Sequence, residues 1–294
     1  MSITRRGFFG YCISSAAVLG LSHFDLFKLR AAMANPNGPK VIWLQGASCT
    51  GCSISFLNRV AAAAPTTAAA VLTDSIDLIY HPTLMAASGE TASAIATQSA
   101  GSGGYILVVE GGVPTAFGGA ACWAWSRAGG DVTFQQAVVD LTNQATQVLA
   151  VGTCAAFGGI PAARSNPAGV RSVAAVTGKT TLNIAGCPPH PDSIVWAIAQ
   201  LLAGNSPAVD SLGRPQDLYG TNVHAGCPRN GPTMATTFGV DNQCLMARGC
   251  RGPATMAPCP SQKWNDRNNW CVDANSPCLG CTESTFPSGD FYTL

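Results

Sequence analysis

Residues 41–52 read VIWLQGASCTGC, a run of aliphatic and aromatic residues that passes through Gly46 into two cysteines, Cys49 and Cys52. The pattern recurs twice: VLAVGTC at 148–154 ends on Cys154, and LNIAGCPP at 182–189 carries Cys187. Two further apolar runs lie at 76–80 and 105–109, the second followed by EGGVP with Glu110. All five are apolar on both faces, as expected of strands in a parallel sheet that is covered on each side. Ala-rich segments of helical period alternate with them at 53–64, 90–100, 134–145, 167–176 and 191–203, several opened by Ser, Thr or Pro. This alternation predicts a doubly wound α/β domain, reaching to residue 203.

The carboxyl ends of strands in such a sheet line one crevice, where ligands bind. Four thiols distant in sequence, Cys49, Cys52, Cys154 and Cys187, are therefore expected to converge. Gly46, Gly51, Gly152 and Gly186 let the backbone approach closely, and a helix beginning at Ser53 would favour an anionic thiolate. Four converging cysteines suit a 4Fe-4S cluster or a tetrahedral zinc; a redox-active CxxC pair with two buried thiols is the alternative.

The 294 residues carry 11% charged side chains, where about 25% is usual, and 47% hydrophobic ones. So little charge predicts a large partner interface. A net charge of +1 without Lys/Arg runs excludes nucleic acid as a partner. Residues 1–34 have the form of an export signal: Arg5 and Arg6, an apolar stretch over 8–21, and Ala32-Met33-Ala34 as a cleavage site. The hexapeptide at 4–9, TRRGFF, resembles the twin-arginine signal, whose route exports folded proteins. An anchor that stays attached is the competing reading. Export favours disulfides, whereas export in the folded state favours a cofactor inserted beforehand.

From 204 onward the periodicity stops, and Pro, Gly, Asn and Cys dominate. Seven of the 13 cysteines fall here: Cys227, Cys244, Cys250, Cys259, Cys271, Cys278 and Cys281, with His224 three residues before the first. The chain after residue 34 thus offers three sets of four ligands and leaves Cys122 as a free thiol. Their wide, uneven spacing fits iron–sulfur clusters better than zinc ribbons, with disulfides as the remaining alternative. His81 and His190, each beside a proline, read as loop or capping residues. Glu110 reads as a carboxylate accepting backbone hydrogen bonds, or as a group that orients a ligand or relays a proton. No nucleophile triad, phosphate loop or paired acids occurs, so the chain is expected to move electrons rather than transform a substrate.

The motifs CTGCS (49–53), EGGVP (110–114), GTCAAFGG (152–159), AGCPPHPD (185–192), VHAGCPR (223–229) and CLGC (278–281) resemble the small, electron-transferring subunit of nickel-iron hydrogenases over essentially the whole mature chain. The resemblance implies a flavodoxin-like domain at 35–203 and an irregular, cluster-rich C-terminal domain at 204–294. It implies three 4Fe-4S clusters: a proximal one on Cys49, Cys52, Cys154 and Cys187, a distal one on His224, Cys227, Cys244 and Cys250, and a medial one on Cys259, Cys271, Cys278 and Cys281. Most members have proline where Cys271 stands and a medial 3Fe-4S cluster. Cys271 therefore places the chain with the subgroup that includes nickel-iron-selenium enzymes, and the medial cluster is 3Fe-4S only if Cys271 does not ligate. Oxygen-tolerant members carry two extra cysteines where Gly51 and Gly159 stand here, which implies an oxygen-sensitive proximal cluster. Many members have carboxylates in place of Ser48 and Ile54, so no proton-relay role carries over to those positions. The implied partners are a large subunit holding the nickel-iron site and a c-type cytochrome, in a periplasmic complex without a transmembrane anchor in the mature chain.

Overall fold

A computed structural model describes residues 39–62, 65–127, 129–239, 242–287 and 289. The signal-like stretch at 1–34 lies outside them. Five parallel strands form one sheet: β1 (Lys40–Gln45), β2 (Asp77–Tyr80), β3 (Tyr105–Glu110), β4 (Gln147–Val151) and β5 (Leu182–Ile184). Their order is β2-β1-β3-β4-β5, the flavodoxin-like arrangement, in which the direction of winding reverses between β1 and β3. Helices α1 (Gly51–Leu57), α2 (Ala68–Asp74), α3 (Gly89–Gly101), α4 (Phe134–Gln144), α5 (Thr153–Phe157), α6 (Val173–Thr177) and α7 (Pro191–Leu202) connect them.

Alternation along the strands divides the core into two layers. Val41 and Trp43 of β1, Val108 of β3 and Val151 of β4 pack with Phe56 of α1, Val71 of α2 and Ile194 and Ile198 of α7. Ile42, Leu44, Leu107 and Val109 pack on the opposite face with Ala96 of α3 and Val138 and Leu141 of α4. Each large aliphatic side chain buried this way contributes about 1.5–3 kcal/mol.

Three segments depart from the sequence expectation. Helix α1 stops at Leu57 because the chain turns back, Val60 bridging to Thr67 and Arg59 Nε donating to Pro65 O at 2.8 Å. The segment at 167–176 is helical only from Val173, since Val170–Arg171 forms an antiparallel pair with Val113–Pro114. Helix α2 has no counterpart among the expected helices; Thr67 caps it by accepting from Ala70 N–H at 3.3 Å.

After α7 the regular elements are short: α8 (Gln216–Tyr219), 3-10 turns at Leu245–Arg248 and Gly252–Ala254, and α9 (Cys259–Gln262). Their own apolar core comprises Val223, Ala257, Trp270 and Val272. Polar clamps join distant parts of this region and, through Tyr219, tie it to the sheet. Arg214, 3% exposed, pairs with Asp210 and Glu283 and donates to Thr282 O at 2.9 Å, and Tyr219 donates its hydroxyl proton to Ala185 O at 2.7 Å. Among the described residues, no helix is long and apolar enough to cross a membrane.

Candidate cofactor sites

The order of the sheet brings the first four cysteines together. β1, β3, β4 and β5 are successive neighbours, and the chain leaving their carboxyl ends carries Cys49 and Cys52, Glu110, Cys154, and Cys187 respectively. Thr50, in the left-handed region at φ 66°, turns the chain between the CxxC cysteines, so α1 starts at Gly51 rather than Ser53. Glu110 is fully buried and accepts from Cys52 N–H and from Trp43 Nε1–H, both at 3.1 Å. The Ser53 hydroxyl also donates to it. Glu110 thus accepts a backbone bond and orients a candidate ligand at once.

Behind it, His81 Nδ1 accepts from Thr83 N–H at 3.1 Å, which leaves Nε2 to carry the proton and donate to Ser53 Oγ at 3.1 Å. Burial lowers His81 to about 4, so the ring is neutral at neutral pH. His190 caps α7, its Nδ1 accepting from Asp192 N–H at 3.0 Å, while Nε2–H donates to Lys263 O. Both histidines are therefore capping and structural groups. Cys122 is a half-buried thiol packed against the α3/α4 layer, and burial raises its pKa.

Two glycines clear space for sulfur. A Cβ on Gly152, at φ 90°, would stand 2.5 Å from Cys52 Sγ, and one on Gly159, at φ 55°, 2.9 Å from Cys154 Sγ. Burial, then Glu110 and the other three thiols of the set, push Cys52 well above the ordinary thiol range. Cys154 rises to about 11, through burial first and then Cys187.

In the C-terminal region, burial followed by the negative charge of Cys281, Cys278 and Cys271 raises Cys259 strongly, so these four lie within one another's field. Cys271 is exposed at the rim of the set. Burial and, to a smaller extent, Cys250 and Cys244 raise Cys227. The Cys250 sulfur and His224 Cβ both face Gly252, at 3.5 and 3.7 Å from where its Cβ would stand, and His224 N–H donates to Gly252 O at 3.2 Å. The electrostatic coupling links Cys52 with Cys49, Cys154 and Cys187, Cys259 with Cys271, Cys278 and Cys281, and Cys227 with Cys244 and Cys250.

The groups also touch. The Cys281 thiol, pushed up to about 12 by burial, accepts from Cys187 N–H, and the Thr153 hydroxyl donates to Cys281 O. Farther on, Cys278 N–H donates to Cys250 Sγ at 3.3 Å. Thr153, which joins the loop of Cys154 to Cys281, is a position that sequence reasoning misses: a threonine after a strand carries no local signal.

The donor chemistry bears on the cofactor. All twelve cysteines of the described residues are free thiols, which removes the disulfide reading. Among those residues, no group of three or more His, Cys, Asp or Glu side chains is gathered tightly enough to hold one metal ion. Sets of four thiols are the usual ligands of iron–sulfur clusters. Buried thiols that raise one another's pKa cannot all ionise alone, and metal ligation supplies the positive charge that deprotonates them.

Comparison with known proteins agrees. Residues 49–201 match the family model described as NADH ubiquinone oxidoreductase, 20 Kd subunit, and residues 219–292 match the C-terminal family model of the NiFe/NiFeSe hydrogenase small subunit. The chain is 37% identical to the periplasmic NiFeSe hydrogenase small subunit of Desulfomicrobium baculatum, over 98% of both chains. It is also 37% identical to the periplasmic NiFe hydrogenase small subunit of Solidesulfovibrio fructosivorans, over 97% of this chain and 90% of that one. The structure of recombinant NiFeSe hydrogenase from Desulfovibrio vulgaris Hildenborough superposes with a TM-score of 0.81 at 38% identity, covering 89% of this chain and 99% of that chain. With relatives this similar spanning nearly its full length, the chain belongs to the family of nickel-iron and nickel-iron-selenium hydrogenase small subunits.

Proposed function

We propose that this chain is the electron-relay subunit of a heterodimeric nickel-iron or nickel-iron-selenium hydrogenase, carrying electrons between a large-subunit active site and an external carrier during H2 oxidation or proton reduction. Cys49, Cys52, Cys154 and Cys187 would hold a proximal 4Fe-4S cluster, Cys259, Cys271, Cys278 and Cys281 a medial one, and His224, Cys227, Cys244 and Cys250 a distal one. Bound iron–sulfur clusters supply one-electron oxidation and reduction at these sites. The observation that carries the reading is the unbroken succession of ligand sets, with Cys187 N–H on the Cys281 thiol and Cys278 N–H on Cys250 Sγ.

The chain's own residues direct the path. Glu110 fixes the CxxC turn through Cys52 N–H, and Thr153 ties the proximal loop to Cys281. Cys49 is exposed, as are the apolar side chains of Ile54, Phe117, Trp123 and Ile160 on the segments that follow β1, β3 and β4. Such exposed apolar side chains suit a large partner holding the nickel-iron site, and they account for the low charge content. The division into 35–203 and 204–294, export of the folded chain to the periplasm through a twin-arginine signal at 1–34, a c-type cytochrome acceptor and an oxygen-sensitive proximal cluster complete the proposal.

Anaerobic purification of the complex tests it. About 12 iron atoms per chain, as three four-iron clusters require, should accompany a nickel-containing partner. Far less iron, or no such partner, overturns the relay. Cys271→Ser should produce an isotropic 3Fe-4S signal in the oxidised protein. If that signal is already the main species of the unaltered protein, Cys271 is not a ligand.

A further inference from the structure

Six buried side-chain polar atoms of the described residues make no hydrogen bond within the chain, and four of them cluster in the C-terminal region: Arg229 Nη1, Arg248 Nε, Trp270 Nε1 and Asn275 Oδ1. Arg229 lies two residues after Cys227, Arg248 two before Cys250, and Trp270 immediately before Cys271. A buried donor without an acceptor is costly, and a recurrent set of them beside candidate ligands calls for an acceptor that the polypeptide does not supply.

Trp270 is the most confined of the three donors. It is 4% exposed and belongs to the small core with Val223, Ala257 and Val272, against which Cys259, Cys278 and Cys227 pack. With Cys271 next in the chain, three cysteines of the medial set adjoin this small core or Trp270 itself. No cysteine sulfur is within hydrogen-bond reach of its indole N–H, since that atom has no partner at all in the chain. We propose that the indole N–H of Trp270 donates a hydrogen bond to an inorganic sulfide of the medial cluster, making Trp270 a positioning residue that sets the potential of the middle step. This inference rests on the relay proposed above. A donor to a cluster sulfur stabilises the more negative, reduced state and raises the potential.

The test is an EPR-monitored redox titration of the intact complex carrying Trp270→Phe, which keeps an aromatic ring in the core while removing the N–H along with part of the indole. The expected result is a full iron content and a medial midpoint lowered by a factor of about ten in the reduction equilibrium, or 59 mV for one electron, with the proximal midpoint unchanged. An unchanged medial midpoint at full iron content overturns the inference while leaving the relay standing. Missing iron in the unaltered protein overturns the relay itself. Should the variant fail to assemble, pulsed EPR of the unaltered complex grown with indole-15N tryptophan decides instead: a nitrogen-15 coupling to the medial cluster supports the bond, and its absence refutes it.

Discussion

In the α/β half, Cys52, Cys154 and Cys187 leave the ends of β1, β4 and β5, whose central residues are almost wholly buried between two apolar layers. In the C-terminal region, seven cysteines and His224 sit on turns around a core of four residues, with polar clamps where the other half has a sheet. The first half thus shapes its ligand set before any cofactor arrives, by hydrophobic burial and strand pairing. The second half has too little apolar surface to do so, and under the proposed relay cofactor binding there is part of folding.

Removing the iron is the strongest way to break this contrast. Anaerobic chelation should speed amide hydrogen exchange over 219–287 by about a hundredfold or more, while β1, β3 and β4 keep their protection. Equal loss in both halves would erase the distinction. A smaller effect is expected from Gly152→Ala, whose Cβ would meet Cys52 Sγ at 2.5 Å with the backbone at φ 90°. The sheet should survive by circular dichroism, and iron should fall by about one third, the share of one four-iron cluster. Retention of all the iron would show that the proximal loops yield more than their packing suggests.

The smallest effect concerns a clamp within the C-terminal region. Arg214→Ala strands two carboxylates and should cost about 3 kcal/mol in thermal unfolding. Burial raises Asp210, but the backbone and side-chain hydrogen bonds of Arg214 outweigh this and hold its carboxyl below the usual range. Because its folded pKa is depressed, the stabilisation is present above the unfolded value near 4 and is lost as pH falls through the folded value. The unaltered protein should therefore lose stability below about pH 4, and the variant should show a shallower acid limb. Identical acid limbs would show that Asp210 does not contribute to this clamp.

The strands are legible because their apolar runs are short, β-branched and bounded by glycine: 105–109 and 182–184 appear as Tyr105–Glu110 and Leu182–Ile184. Helix α2 is hard to see in sequence because Pro65 and two threonines interrupt the Ala-rich run, although Thr67 is the kind of cap that opens a helix. The shortened α6 reflects a tertiary override, since Val170 and Arg171 find partners in Val113 and Pro114, more than fifty residues away. Glu110 admits two readings in sequence, and the fold makes it both, because β3 lies between β1 and β4 and brings its carboxylate to Cys52 N–H.

The sequence by itself determined the kind of chemistry and the class of fold, since thiol content, strand–helix alternation and the low charge are properties of residues and their near neighbours. Only the tertiary structure decided how the ligand sets meet. That Cys187 reaches Cys281, that Cys278 reaches Cys250, and that the small core of Trp270 meets Cys259 and Cys278 depend on strand order and on turns that bring together residues up to about a hundred positions apart. Local propensity does not encode such contacts, because they arise only when two apolar layers and a few buried polar clamps have fixed the path of the whole chain.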